Sequence, residues 1–174
     1  MTTLYIDCET YSELDLKTVG TYRYAENCEI MLITWAVDDG EVYFWDRTYS
    51  HELPVELYEA WLNATTITAH NAMFDRVVLG YEAVIPHAPI EKWRCTMVQA
   101  LSHGLPGSLD QLCEILKVPH DKAKIKDGKR LIQLFCKPRP KNNKIIRATR
   151  ETHPEEWQRF IEYAMADIDA MREV

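Results

Sequence analysis

The sequence predicts an α/β domain with a mixed central β-sheet flanked by α-helices. Two observations carry that expectation. β-rich apolar runs fill the first part of the chain, strands and helices then alternate, and helical periodicity dominates the second half, the order expected of a sheet covered by helices. With 174 residues, 47% of them hydrophobic, the chain is long enough to bury one well-packed core and short for two, so residues 1–174 read as a single domain.

The elements follow in order. Residues 3–8 read as a strand, and 29–37 and 41–45 as two more joined by Asp38-Asp39-Gly40, where Asp-Gly between β-rich runs marks a hairpin. Apolar Val55, Leu57, Tyr58, Trp61 and Leu62 give helical spacing over 54–62, ahead of a short strand at 65–68. The next helix spans 71–79, with Phe74 as its core anchor. Residues 96–101 are helical, and the turn Leu105-Pro106-Gly107 leads to Ser108, an N-cap for a helix through 116. Two prolines, paired asparagines and several basic residues make 137–150 an exposed, mobile, substrate-contacting excursion. The final helix is announced by Thr152, Pro154 and the acidic pair Glu155 and Glu156, which suits the positive end of the helix dipole.

Composition narrows the function. No run of about 18 apolar residues is present, and the N-terminus lacks the order of a signal peptide, so membrane spanning and export are not expected. The five cysteines form no Cys-x-x-Cys pair, and the six histidines form no His-x-x-x-His pair; a zinc or redox centre is not expected, and a reducing cytoplasm is. The net charge of −7 is unevenly spread. Between Lys117 and Arg150 twelve Lys or Arg face two Asp, a balance of +10 against −17 for the remainder. A basic block beside an acidic body suits an enzyme that holds phosphates on one surface and cations in a carboxylate pocket. Lys126, Lys129 and Arg130 are read either as phosphate contacts or as a solvated helix start.

Candidate chemistry rests on four carboxylates, Asp7, Glu9, Asp75 and Asp167. Gathered in one place they would concentrate negative charge, an arrangement that divalent cations neutralise. Asp7 and Glu9 are two apart on a strand and so share a face, which leaves Cys8 on the other, packed in the core. Tyr163 and Asp167 are four apart on a helix and share a face, as do Asn71 and Asp75.

In chain order, Ile6-Asp7-Cys8-Glu9-Thr10, His70-Asn71-Ala72-Met73-Phe74-Asp75 and Tyr163-Ala164-Met165-Ala166-Asp167 resemble the three motifs of the DEDD, or DnaQ-like, superfamily of 3′-to-5′ exonucleases, whose fold is ribonuclease H-like. The tyrosine four residues before the last Asp resembles the DEDDy branch; the other branch carries a histidine where this chain has Glu162. Trp93-Arg94-Cys95-Thr96, Leu105-Pro106-Gly107-Ser108-Leu109 and Lys126-Asp127-Gly128-Lys129-Arg130-Leu131-Ile132 look like the N-terminal proofreading exonuclease region of bacteriophage family A DNA polymerases. The resemblance implies a metal-dependent exodeoxyribonuclease acting on single-stranded DNA or a frayed primer 3′ end. Asp7, Glu9, Asp75 and Asp167 would hold two Mg²⁺ or Mn²⁺ ions, Tyr163 would orient the attacking water, and Thr10 and Asn71 would contact the terminal nucleotide. It also implies a polymerase domain as covalent or separate partner, with the chain a segment of a longer polymerase or a free-standing exonuclease, in the host cytoplasm if the source is a phage. The alternatives are an exoribonuclease with the same centre and a non-catalytic module that binds primer ends.

Overall fold

The computed structural model describes residues 1–82, 84–119, 127–140, 142 and 145–174. Lys126 lies outside the described residues. The first strand, β1 (Thr3–Tyr11), sits at the centre of a five-stranded sheet. It pairs antiparallel with β2 (Glu29–Val37) and parallel with β4 (Thr66–Ala69). Outside these lie β3 (Tyr43–Asp46), antiparallel to β2, and β5 (Trp93–Cys95), parallel to β4, in the order β3-β2-β1-β4-β5. The sheet is therefore mixed and flanked by helices, an α/β fold consistent with the ribonuclease H-like class.

Among the described residues, eight α-helices and one short 3-10 helix (Ile90–Lys92) accompany the sheet: α1 (Leu16–Val19), α2 (Thr21–Ala25), α3 (Val55–Asn63), α4 (Ala72–Glu82), α5 (Thr96–Ser102), α6 (Leu109–Leu116), α7 (Gly128–Phe135) and α8 (Pro154–Glu173). None of them is long and apolar enough to cross a membrane. The hairpin forms as its Asp-Gly signal requires: Asp38 takes a left-handed φ of 48°, and Gly40 N–H donates to the Val37 carbonyl at 2.9 Å. Pro154 stands in the first turn of α8 with Glu155 and Glu156 beside it. Ser108 occupies the N-cap position of α6, but its hydroxyl makes no capping bond; its carbonyl instead accepts from Leu112 N–H at 2.9 Å.

Strand periodicity sorts the core. Leu4, Ile6 and Cys8 of β1 point to one side, into a cluster with Leu57 and Trp61 of α3 and Val77, Val78 and Leu79 of α4. Tyr11 points to the other side, into a cluster built from Leu131 and Phe135 of α7 and Trp157, Phe160 and Tyr163 of α8. A bulge opposite Glu9 and Thr10 skips Met31, so Met31 and Leu32 of β2 both face α7 and α8. The sheet thus carries α8 across one face and α4 across the other, the two helices that bring Asp167 and Asp75.

The basic segment is anchored to the body at its far end. Ala148 is buried, Arg147 pairs with Glu29 at 2.6 Å and lies 3.9 Å above the Tyr11 ring, and Arg150 lies 4.5 Å above Tyr49. Arg147, Ala148 and Arg150 thus pack on the body while Ile145 and Ile146 stay exposed; residues 141, 143 and 144 of the expected excursion lie outside the described residues.

Candidate metal centre

β1 delivers Asp7 and Glu9 to the face covered by α8, because residues two apart on a strand point the same way. Asp167 reaches them from the middle of α8, and ligand oxygens from Asp7, Glu9 and Asp167 all lie within 4.8 Å of one another. Asp167 is buried and Glu9 is only 9% exposed. Asp75 arrives from α4 on the opposite face and closes over the strand: its Oδ1 accepts the Cys8 backbone N–H at 3.1 Å, one residue from both Asp7 and Glu9. The four carboxylates predicted from sequence therefore converge, three as a compact trio and the fourth as a buried neighbour.

Electrostatics record that convergence. Burial, followed by the charge of Asp7, pushes Asp75 well above the ordinary carboxyl range, although the Cys8 N–H partly opposes the shift. Burial and then the charges of Asp75, Asp7 and Glu9 raise the Cys8 thiol. Cys136 is raised by burial and by Glu9, to whose Oε2 its Sγ–H donates at 3.6 Å. The Tyr163 phenol is raised by burial and by Asp167, Glu9 and Asp7, and it donates a hydrogen bond to Asp167. Each of these groups is driven toward its neutral form by burial and by the surrounding carboxylates. An all-oxygen donor set with this charge fits a hard divalent ion such as Mg²⁺ or Mn²⁺, so the residues present suit the metal that the sequence implies.

Asp75 gives a stability prediction. Its folded pKa lies above the ordinary 3.8, so the folded chain holds that proton more tightly than the unfolded chain does. Without divalent cation, stability then falls as pH rises from about 4 through the folded pKa. Asp75→Asn removes this dependence. Thermal melts in chelator should show the variant above wild type at neutral pH, with the gap closing as pH is lowered toward 4.

A cleft of about 240 Å³ opens beside Glu9. Its walls include Thr10, Leu14, Tyr24, Phe74 and Ile132, with Lys17 and Lys137 also lining it. Thr10, expected from sequence to contact substrate, lines this cleft, and its hydroxyl is engaged by the Tyr24 hydroxyl at 2.9 Å; burial pushes that phenol up to about 12. Asn71 is exposed at the turn between β4 and α4, with a left-handed φ of 68° and its carbonyl accepting Phe74 N–H at 2.8 Å, outside the wall of this cleft. The preceding His70 ties that turn down, with Nδ1 2.8 Å from the Thr96 hydroxyl and Nε2 2.9 Å from the Gly107 carbonyl. Because a carbonyl can only accept, Nε2 carries the proton in the second contact.

Cys136 and Tyr24 reach the site only through tertiary packing, by contacts with Glu9 and Thr10 that leave no signal in the local sequence. Asp169, two residues past Asp167, stands apart and pairs with Arg172 at 2.6 Å. None of the five cysteines forms a disulfide.

No family model matches the chain. Over its full length, in an alignment of 180 residues, it is 38% identical to a DNA polymerase of Bacillus phage SP02. The chain spans 27% of that relative, so it is similar from end to end to roughly a quarter of a phage DNA polymerase.

Proposed function

We propose that this chain is a metal-dependent 3′-to-5′ exodeoxyribonuclease that serves a DNA polymerase as its proofreading domain. One observation carries the reading: three carboxylates from the two ends of the chain lie within 4.8 Å of one another, with Asp75 and the Tyr163 phenol packed around them. The likeness to a phage polymerase supports a polymerase-associated role.

Asp7, Glu9, Asp75 and Asp167 would hold the divalent ions. When bound, such ions activate a water toward attack and neutralise charge on the leaving 3′-oxygen. Tyr163 acts as a donor. With its phenol pushed far up it keeps its proton at any physiological pH, so it orients an acceptor and is not the general base. The cleft beside Glu9 would receive the terminal nucleotide, with the base against Leu14, Phe74 and Ile132 and a phosphate near Lys17 or Lys137. A pocket this narrow suits an unpaired 3′ end, as single-stranded or frayed DNA presents.

Matched DNA and RNA strands, digested with Mg²⁺ or Mn²⁺ and again with EDTA, test the assignment. The expected result is nucleotide release from DNA that stops with EDTA. Faster digestion of RNA would contradict the deoxyribonuclease reading, and cleavage that persists in EDTA would contradict the metal centre.

A further inference from the structure

One face of α7 packs on α8. Gly128, Leu131 and Phe135, at i, i+3 and i+7, are buried, while Lys129 and Arg130 are exposed. At the start of that face Gly128 meets the Tyr163 ring. A Cβ built on Gly128 would lie 2.1 Å from Cε2, 2.5 Å from Cδ2 and 2.9 Å from Cζ of Tyr163. Carbon atoms in contact normally stay about 3.5–4 Å apart. Nothing larger than hydrogen fits there while the ring keeps its place. The backbone does not call for glycine, since Gly128 is not among the positive-φ residues and glycine weakens a helix.

The surrounding contacts hold the two helices in this register. Asp127 accepts from Arg130 at 2.9 and 3.0 Å and pairs with Arg159 at 2.5 Å, one helical turn before Tyr163. At the other end of α7, Phe135 stacks on Phe160 with centroids 5.2 Å apart, and the Phe160 ring lies parallel to that of Tyr163, at 6°. α7 therefore touches the phenol through Gly128 and supports its stacking neighbour through Phe135.

Building on the exonuclease reading, we propose that Gly128 is a positioning residue for Tyr163. Its bare α-carbon lets α7 close on the ring and keeps the hydroxyl against Asp167, at the rim of the carboxylate cluster. Bulk at position 128 displaces the phenol, which lowers turnover and leaves substrate and cation binding in place. Loss of ring packing alone would instead appear as lower stability with unchanged kinetics.

The test uses the full chain labelled with ring-¹³C tyrosine, with the Tyr163 signal identified by its loss in Tyr163→Phe. Gly128→Ala should shift that signal, lower kcat on single-stranded DNA by about tenfold or more, and leave KM and Mn²⁺ affinity within about twofold. In a Tyr163→Ala background the same substitution should cost no further activity, because residues acting through one another are not additive. An unmoved Tyr163 signal, an unchanged kcat, or equal losses in both backgrounds would overturn the proposal. Should Gly128→Ala fail to fold, Asp127→Asn loosens the same junction without adding atoms. It should shift the Tyr163 signal and reduce kcat about threefold, and no change in either would overturn the proposal. A wild-type chain that leaves DNA intact would overturn the exonuclease reading itself, while the ¹³C signal still reports whether Gly128 sets the ring.

Discussion

Asp7→Ala is expected to lower the rate of 3′-end cleavage by about 10³-fold or more, about 4 kcal/mol of barrier. Asp7 lies in the carboxylate trio, and its charge helps raise Asp75, Cys8, Cys136 and Tyr163. Removing that charge weakens the hold on a divalent ion and relaxes the neighbours that it forces toward neutrality. The variant should therefore melt no lower than wild type in chelator, while the stabilisation that Mn²⁺ gives wild type largely disappears. Parallel melts and rate measurements separate this from simple unfolding: a folded, inactive variant that no longer responds to Mn²⁺ is the expected outcome. Activity within about tenfold of wild type would place the chemistry elsewhere.

Phe160→Ala should give the largest loss of stability, about 3–5 kcal/mol. Phe160 is fully buried and central to an aromatic cluster: it stacks on Phe135, tilts against Trp157 with centroids 5.6 Å apart, and lies parallel to Tyr163. Deleting the ring leaves a cavity between α7 and α8, because the surrounding rings belong to two packed helices that close only partly around the gap. For a chain of this length the loss should appear as a fall in Tm of about 10 °C. Phe160→Leu, which refills most of the volume, should restore much of it. A change of less than about 1 kcal/mol for the alanine variant would mean that the cluster collapses around the gap.

Much of this centre was legible because local periodicity fixes it. Asp7 and Glu9 had to share a face once their segment was a strand, and Tyr163 and Asp167 once theirs was a helix. Asp38-Asp39-Gly40 located the hairpin because few residues other than glycine, asparagine and aspartate tolerate such a turn. Strand β5 was not foreseen, since three residues are too few to show a period. Strand β1 runs to Tyr11, beyond the expected end at residue 8, because the bulge at Met31 lets pairing with β2 continue past the acids. Asp75 reaches the cluster from the opposite face of the sheet, a crossing that its helical spacing from Asn71 does not imply. The contacts of Gly128 with Tyr163 and Cys136 with Glu9 join residues 35 and 127 positions apart, and neither leaves a local pattern.

Digestion of a 5′-labelled single-stranded DNA with Mg²⁺ or Mn²⁺, run beside EDTA and Asp7→Ala controls, tests directly whether the carboxylate centre cleaves DNA from its 3′ end. The expected result is a ladder of products that shortens from the 3′ end and disappears in both controls. Intact DNA from a folded, cation-binding chain, or a ladder that survives Asp7→Ala, would contradict it.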